Sequence, residues 1–206
     1  MGNPRQTGDT FYHPVPISTL AMNSSLYLFP RPVLEEPPAM EAVIAVLRGC
    51  GFLGEPLDPG LFRVGGGFFR HITFAGCSPH LKLEPESETD GDFTCLRLWE
   101  ERVPRLRIAP QRGRPRCPAC RTAVAGWKER LSDWKQDATG RWVCPACGKE
   151  SRVAELDWRQ YGVAARLLVE VTRVWPGEAL PTDGLLAELG AGTGRAWGFA
   201  WAEGGF

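Results

Sequence analysis

Cys117-Pro118-Ala119-Cys120 and Cys144-Pro145-Ala146-Cys147 are the residues of this 206-residue chain best suited to chemistry. The two clusters are identical, and 23 residues separate them. A Cys-x-x-Cys unit wraps one tight turn and aims both sulfurs at a common point. Two such turns complete a tetrahedral four-thiolate shell, with Zn–S bonds near ~2.3 Å. Gly148, directly after the second cluster, suits the positive φ or close backbone approach of such a turn. A closed shell leaves no position for water, so the expected ion is structural Zn2+ and not a catalytic one. Its binding adds folding free energy on the order of 10 kcal/mol. Two other chemistries fit the same residues. Cys-Pro-x-Cys also serves as a redox dithiol, and iron accepts the same four-sulfur shell. Duplication of the motif favours a metal over a dithiol.

Read onward as Cys144-Pro145-Ala146-Cys147-Gly148-Lys149, the second cluster resembles the knuckle of a zinc ribbon. The pair of clusters resembles that family as a whole, over roughly residues 115–152. The resemblance implies one of two roles common in the family, service in a nucleic-acid machine or assembly with a protein. The interval between the knuckles is longer than usual. It contains Trp127, Trp134 and Trp142, which are expected to supply a small core.

Weaker candidates lie elsewhere. Cys77-Ser78-Pro79-His80, with His71 upstream, offers the best nucleophile–base pair or second metal site, and hence a thiol-enzyme reading. The plainer reading makes Cys77 a small buried hydrophobe at a strand end. Cys50 and Cys95 fall in helical and strand patterns and are expected in the core. Glu188-Leu189-Gly190-Ala191-Gly192-Thr193-Gly194 resembles the first motif of S-adenosylmethionine-dependent methyltransferases. Only 12 residues follow Gly194, too few for such a domain, so a glycine-capped helix end is expected there. Trp197, Phe199 and Trp201 alternate on one strand face, as core beneath a helix or as a platform for bases; core is preferred.

Lys and Arg total 24, equal to Asp and Glu. The neutrality conceals two opposed blocks. From residue 102 to 152 there are 13 basic and four acidic residues, a net of +9; the other residues carry −9. Arg112, Arg114, Arg116, Arg121, Lys128, Arg130, Lys135 and Arg141 therefore form a candidate partner surface. A protein partner is the first expectation and DNA or RNA, through phosphate neutralisation, the alternative. The plainer reading is that these charges offset the −2 of a Zn(Cys)4 centre. The acidic segment 84–101 is a further candidate to fold against the module and mask it.

The elements that position these groups follow from periodicity. Leu26–Phe29 reads as a strand. Met40, Val43, Ile44 and Leu47 repeat at helical spacing between Pro37-Pro38 and Gly49. Phe69–Ala75, Phe93–Trp99 and Arg105–Ile108 read as strands, with Gly65-Gly66-Gly67 as a turn before the first of them. Val163–Val174 is the clearest strand, with Val163, Ala165, Leu167, Val169 and Val171 on one face. Thr182 caps a short helix carrying Leu185, Leu186 and Leu189, and Trp197–Trp201 is the last strand. The expected fold is α+β: a single sheet with two helices, on a ferredoxin-like plan, with an inserted four-cysteine zinc ribbon. The segments are an irregular extension over 1–24, a first half over 25–110, the ribbon over 111–152 and a second half over 153–206. Met22 is a candidate translation start alongside Met1. No apolar run long enough for a membrane span occurs, and the first 20 residues lack the apolar core of a secretory signal, so a reducing cytoplasm and a non-enzymatic binding role are expected.

Overall fold

The computed structural model describes residues 24–75, 81–86 and 92–203. The candidate pair Cys77 and His80, and the Met22 start, lie outside the described residues.

Six strands form one sheet: β1 (Ser24–Arg31), β2 (Leu53–Asp58), β3 (Leu61–Val64), β5 (Leu96–Ile108), β8 (Gly162–Thr172) and β10 (Ala196–Glu203). Their order is β10-β1-β8-β5-β3-β2, and every neighbouring pair is antiparallel. Two short ribbons stand apart, β4 (Ile72–Phe74) with β9 (Ala179–Pro181) and β6 (Arg141–Val143) with β7 (Glu150–Arg152). The helices are α1 (Met40–Gly49), α2 (Phe68–His71), α3 (Leu131–Gln136) and α4 (Asp183–Thr193).

α1 and α4 cover one face of the sheet. Val43 and Leu47 of α1 and Leu185 and Leu189 of α4 share a core with Leu26, Leu28, Leu167, Val169, Val171, Trp197 and Trp201. The chain supplies the ends of α4 as expected. The Thr182 Oγ accepts the Leu185 amide at 3.2 Å, and Gly194 closes the helix in the left-handed conformation at φ 67°. The glycine run that resembles a cofactor loop is thus the last turn and cap of a helix. Trp197 and Trp201 are buried, and Trp201 Nε1 donates to the Ala179 carbonyl at 2.9 Å. They are core, not a base-stacking platform.

Three readings need correction. Phe69–Ala75 is not one strand: a helical turn, Phe68–His71, precedes the three residues of β4. The two candidates Phe93–Trp99 and Arg105–Ile108 are parts of the single strand β5, which runs through Pro104 because its pairing with β8 shifts between Glu100 and Arg105. Nor does β8 present one apolar stripe. Leu167, Val169 and Val171 face the helices, whereas Val163 and Ala165 join a cluster with Tyr27, Leu168 and Ala202 on the opposite side. The irregular stretch of β5 faces this switch, as expected where a bulge increases local twist.

β5 and β8 pair with each other along most of their length, so the segment between them leaves the sheet and returns to it. That segment holds the four cysteines. No helix among the described residues is long and apolar enough to cross a membrane.

Candidate metal centre

The two knuckles close in the same way. In the first, the Cys117 amide donates to the Thr122 carbonyl at 2.8 Å and the Arg121 amide to the Cys117 carbonyl at 3.0 Å. In the second, Cys144 donates to Lys149 and Gly148 to Cys144, both at 2.9 Å. The residue after the second cysteine is left-handed in each, Arg121 at φ 65° and Gly148 at φ 69°. The second knuckle is the tip of the β6–β7 ribbon. The first is held by bridges from Arg116 to Ala123 and to Asp157.

All four sulfurs lie within 4.8 Å of one another. Cys117 Sγ is 3.8 Å from Cys147 Sγ, and Cys120 Sγ is 3.6 Å from Cys144 Sγ. A tetrahedron with ~2.3 Å metal–sulfur bonds has edges of about 3.8 Å. The donor set and its spacing therefore fit a four-thiolate ion. Cys117 and Cys144 are buried, while Cys120 and Cys147 are exposed. The thiols are electrostatically linked. Hydrogen bonding with Thr122, through its side chain first and then its backbone, brings Cys120 down to about 6. The Lys149 amide pulls Cys147 down, but Cys120, burial, Cys144 and Cys117 together push it up to about 12.

The interval between the knuckles folds as a tryptophan core. Trp127 and Trp134 meet Trp158 edge-on, at centroid distances of 6.2 and 6.1 Å. Trp142 is buried with them, beside Cys117, Cys144, Val124, Val153 and Leu156. Trp158 Nε1 donates to the Val153 carbonyl at 3.1 Å. The cluster reaches into the sheet through Leu106, Ile108 and Ala164. The backbone ties the two together: the Ala138 amide bonds the Pro104 carbonyl, and Arg116 and Asp157 exchange both of theirs.

Of the eight basic candidates, seven are exposed and Arg116 is half-buried. Arg121, Lys135 and Arg141 pair with Asp157, Glu203 and Glu150. The acidic segment does not mask the knuckles through any described residue. Glu84 pairs with Arg63, Glu86 with Lys82 and Asp92 with Arg173, while Glu101 meets Arg105 and Arg107 on its own strand. Cys95 is buried against Thr172 and Cys50 is half-buried; burial pushes both thiols up.

The Arg121–Asp157 pair was not foreseen, although a signal existed: arginine stands where the second knuckle has glycine. The left-handed backbone costs about 1 kcal/mol for a residue with a Cβ. Arg121→Ala keeps that strain and loses the pair, whereas Arg121→Gly loses the pair and relieves the strain. The glycine variant is expected to be the more stable of the two by about 1 kcal/mol. Urea midpoints check the ranking, and equal midpoints would remove the strain argument.

Comparison with family models, curated proteins and solved structures finds no match to the chain.

Proposed function

We propose that the chain is a non-enzymatic protein in which a structural zinc ribbon offers its basic surface to an acidic protein partner. Cys117, Cys120, Cys144 and Cys147 hold the Zn2+, and the ribbon is an insertion between two halves of one α+β domain. Four strands in the order β10-β1-β8-β5, with helices after the first and third in sequence, support the ferredoxin-like plan for that domain. The observation that carries the binding role is the division of labour within the ribbon. Seven of its eight basic candidates are exposed while Trp127, Trp134, Trp142 and Trp158 are consumed in its core. Buried indoles cannot stack on bases, which disfavours single-strand recognition by the aromatic route.

One observation favours the second reading, a nucleic-acid ligand. Arg112, Arg114 and Arg116 bond main-chain carbonyls, and Lys128 lies over the Trp127 ring at 5.8 Å. Such cations remain able to meet phosphates. Native co-purification of the full chain with and without nuclease separates the two readings. A protein partner is expected to survive nuclease and to be lost from the Lys128→Glu/Arg130→Glu variant, whose two positions are exposed. Recovery of nucleic acid alone would overturn the first reading, with binding that weakens by roughly a thousandfold or more between ~50 and ~200 mM salt.

A further inference from the structure

A second set of metal-type donors lies apart from the four cysteines. Cys50, His71 and Glu188 each bring one ligand atom within 4.8 Å of the other two. They come from three elements. Cys50 is the residue after α1, His71 ends α2, and Glu188 lies on α4. We propose that these three side chains form a second divalent-metal site, of the open kind.

The backbone brings them together through an unusually close packing. A Cβ at Gly65 would collide with the Gly51 carbonyl oxygen, so the triplet Gly65–Gly67 can lie directly on the chain leaving α1. The Gly65 amide bonds the Phe52 carbonyl and the Gly67 amide the Gly51 carbonyl, each at 2.8 Å. This docking starts α2 beside Cys50. The His71 ring is then buried and held by two contacts. It is 8% exposed, stands edge-on to Phe52 at 6.0 Å, and has Nε2 3.1 Å from the Cys50 carbonyl oxygen. Anchoring of a ring nitrogen on a main-chain carbonyl is the usual support for a metal-ligating histidine. The His71 carbonyl accepts the Thr182 amide at 2.9 Å, which ties α2 to the residue that caps α4. Glu188 follows on α4, its exposed side chain able to move.

A thiolate, an imidazole and a carboxylate together suit a borderline divalent ion such as Zn2+, Co2+ or Ni2+. Bonds of ~2.0–2.3 Å place tetrahedral ligands about 3.3–3.8 Å apart. The present separations need only a modest closure, which Glu188 can supply. Three protein ligands leave one position for water, so this ion can accept an outside ligand, unlike a four-thiolate ion.

The test is a metal count. Full-length protein is saturated with Zn2+, desalted and assayed by mass spectrometry, alongside Glu188→Gln and Cys50→Ala. Glu188 is exposed, so Glu188→Gln leaves the main core intact, and Cys50→Ala trims one half-buried side chain at the edge of that core. Each is expected to hold one ion fewer than the parent chain, and to bind added Co2+ at the lost site at least ~10-fold more weakly. The four-cysteine reading is tested separately: Cys120→Ser/Cys147→Ser removes an ion only if that centre is loaded, and leaves the second site filled. If Glu188→Gln and Cys50→Ala both keep the parental count, the second site does not exist.

Discussion

Cys144→Ser is expected to remove one metal ion per chain and to unfold the ribbon. Cys144 is buried and its Sγ lies 3.6 Å from that of Cys120, so serine replaces a soft ligand at the centre of the shell. The ion contributes on the order of 10 kcal/mol to a module of this kind. That is comparable to the whole stability of a typical domain. The ribbon has little to fall back on, because its tryptophan core is built around Cys117 and Cys144 themselves. Metal loss therefore empties the packing around Trp127, Trp134, Trp142 and Trp158. Their emission should shift to the red, and limited proteolysis should cut within residues 121–143. The main core contains none of these residues, so the helical signal of α1 and α4 persists. The sheet will still feel the change, since Leu106, Ile108 and Ala164 lose their cover. Cys95→Ser is the control: it changes a buried thiol outside the centre and keeps the ion. Full metal content in Cys144→Ser would refute the assignment.

The parts of the fold visible in the sequence are those where one local rule acts alone. α1 shows helical spacing between two prolines and a glycine. α4 has a threonine cap and a glycine stop. β1, β8 and β10 carry apolar runs long enough to read. The hairpin β2–β3 was missed because Gly54 and Pro56 interrupt any alternation, and its pairing slips on both sides of Pro56. β5 was broken in two at Pro104 for a similar reason. Its proline is tolerated only because β8 supplies an irregular pairing there, which no local pattern reveals. At Phe68–His71 the aromatic side chains favour a strand, but the docking of Gly65–Gly67 on the α1 exit bends the chain into a turn of helix. Tertiary contact overrides local preference in each case.

The four-cysteine cluster was legible for the opposite reason. Its chemistry depends on spacing within four residues, and the pattern occurs twice. The Cys50–His71–Glu188 cluster was not legible, since its members are 21 and 117 positions apart and meet only through the packing of three elements. Charge was legible as a total but not as a map. The described acidic residues Glu84, Glu86 and Asp92 pair with Arg63, Lys82 and Arg173, all outside the four-cysteine segment.

Glu170→Ala is expected to lower stability by about 3–5 kcal/mol, the cost of breaking a buried charged network by removing one partner. Glu170 is 1% exposed near the C-terminal end of β8, with Tyr27 and Arg97 as its neighbours in register on β1 and β5. Its Oε1 accepts the Ser25 hydroxyl at 2.7 Å and the Tyr27 hydroxyl at 3.0 Å; its Oε2 accepts Trp99 Nε1 at 2.7 Å. Arg97 lies 3.9 Å from Oε2, and Arg97 and Arg107 both stack on the Trp99 ring. This carboxylate is the acceptor that lets polar side chains of three strands pack on the face opposite α1 and α4. Alanine removes the acceptor and leaves the donors in place. Tyr27 can turn its proton to the Glu203 carbonyl at 3.1 Å, but Ser25 and Trp99 lose the side-chain acceptor that holds them. Each buried donor left unmet costs about 1–3 kcal/mol. Glu170→Gln keeps the shape and one acceptor oxygen, so it should fall between alanine and the parent. Tyr27→Phe removes one donor and leaves the carboxylate served by the others, for a loss of about 1 kcal/mol. Urea unfolding of the metal-loaded chain ranks the three variants. A loss below ~1 kcal/mol for Glu170→Ala would mean that water serves these donors, and that this face of the sheet is held by apolar contact alone.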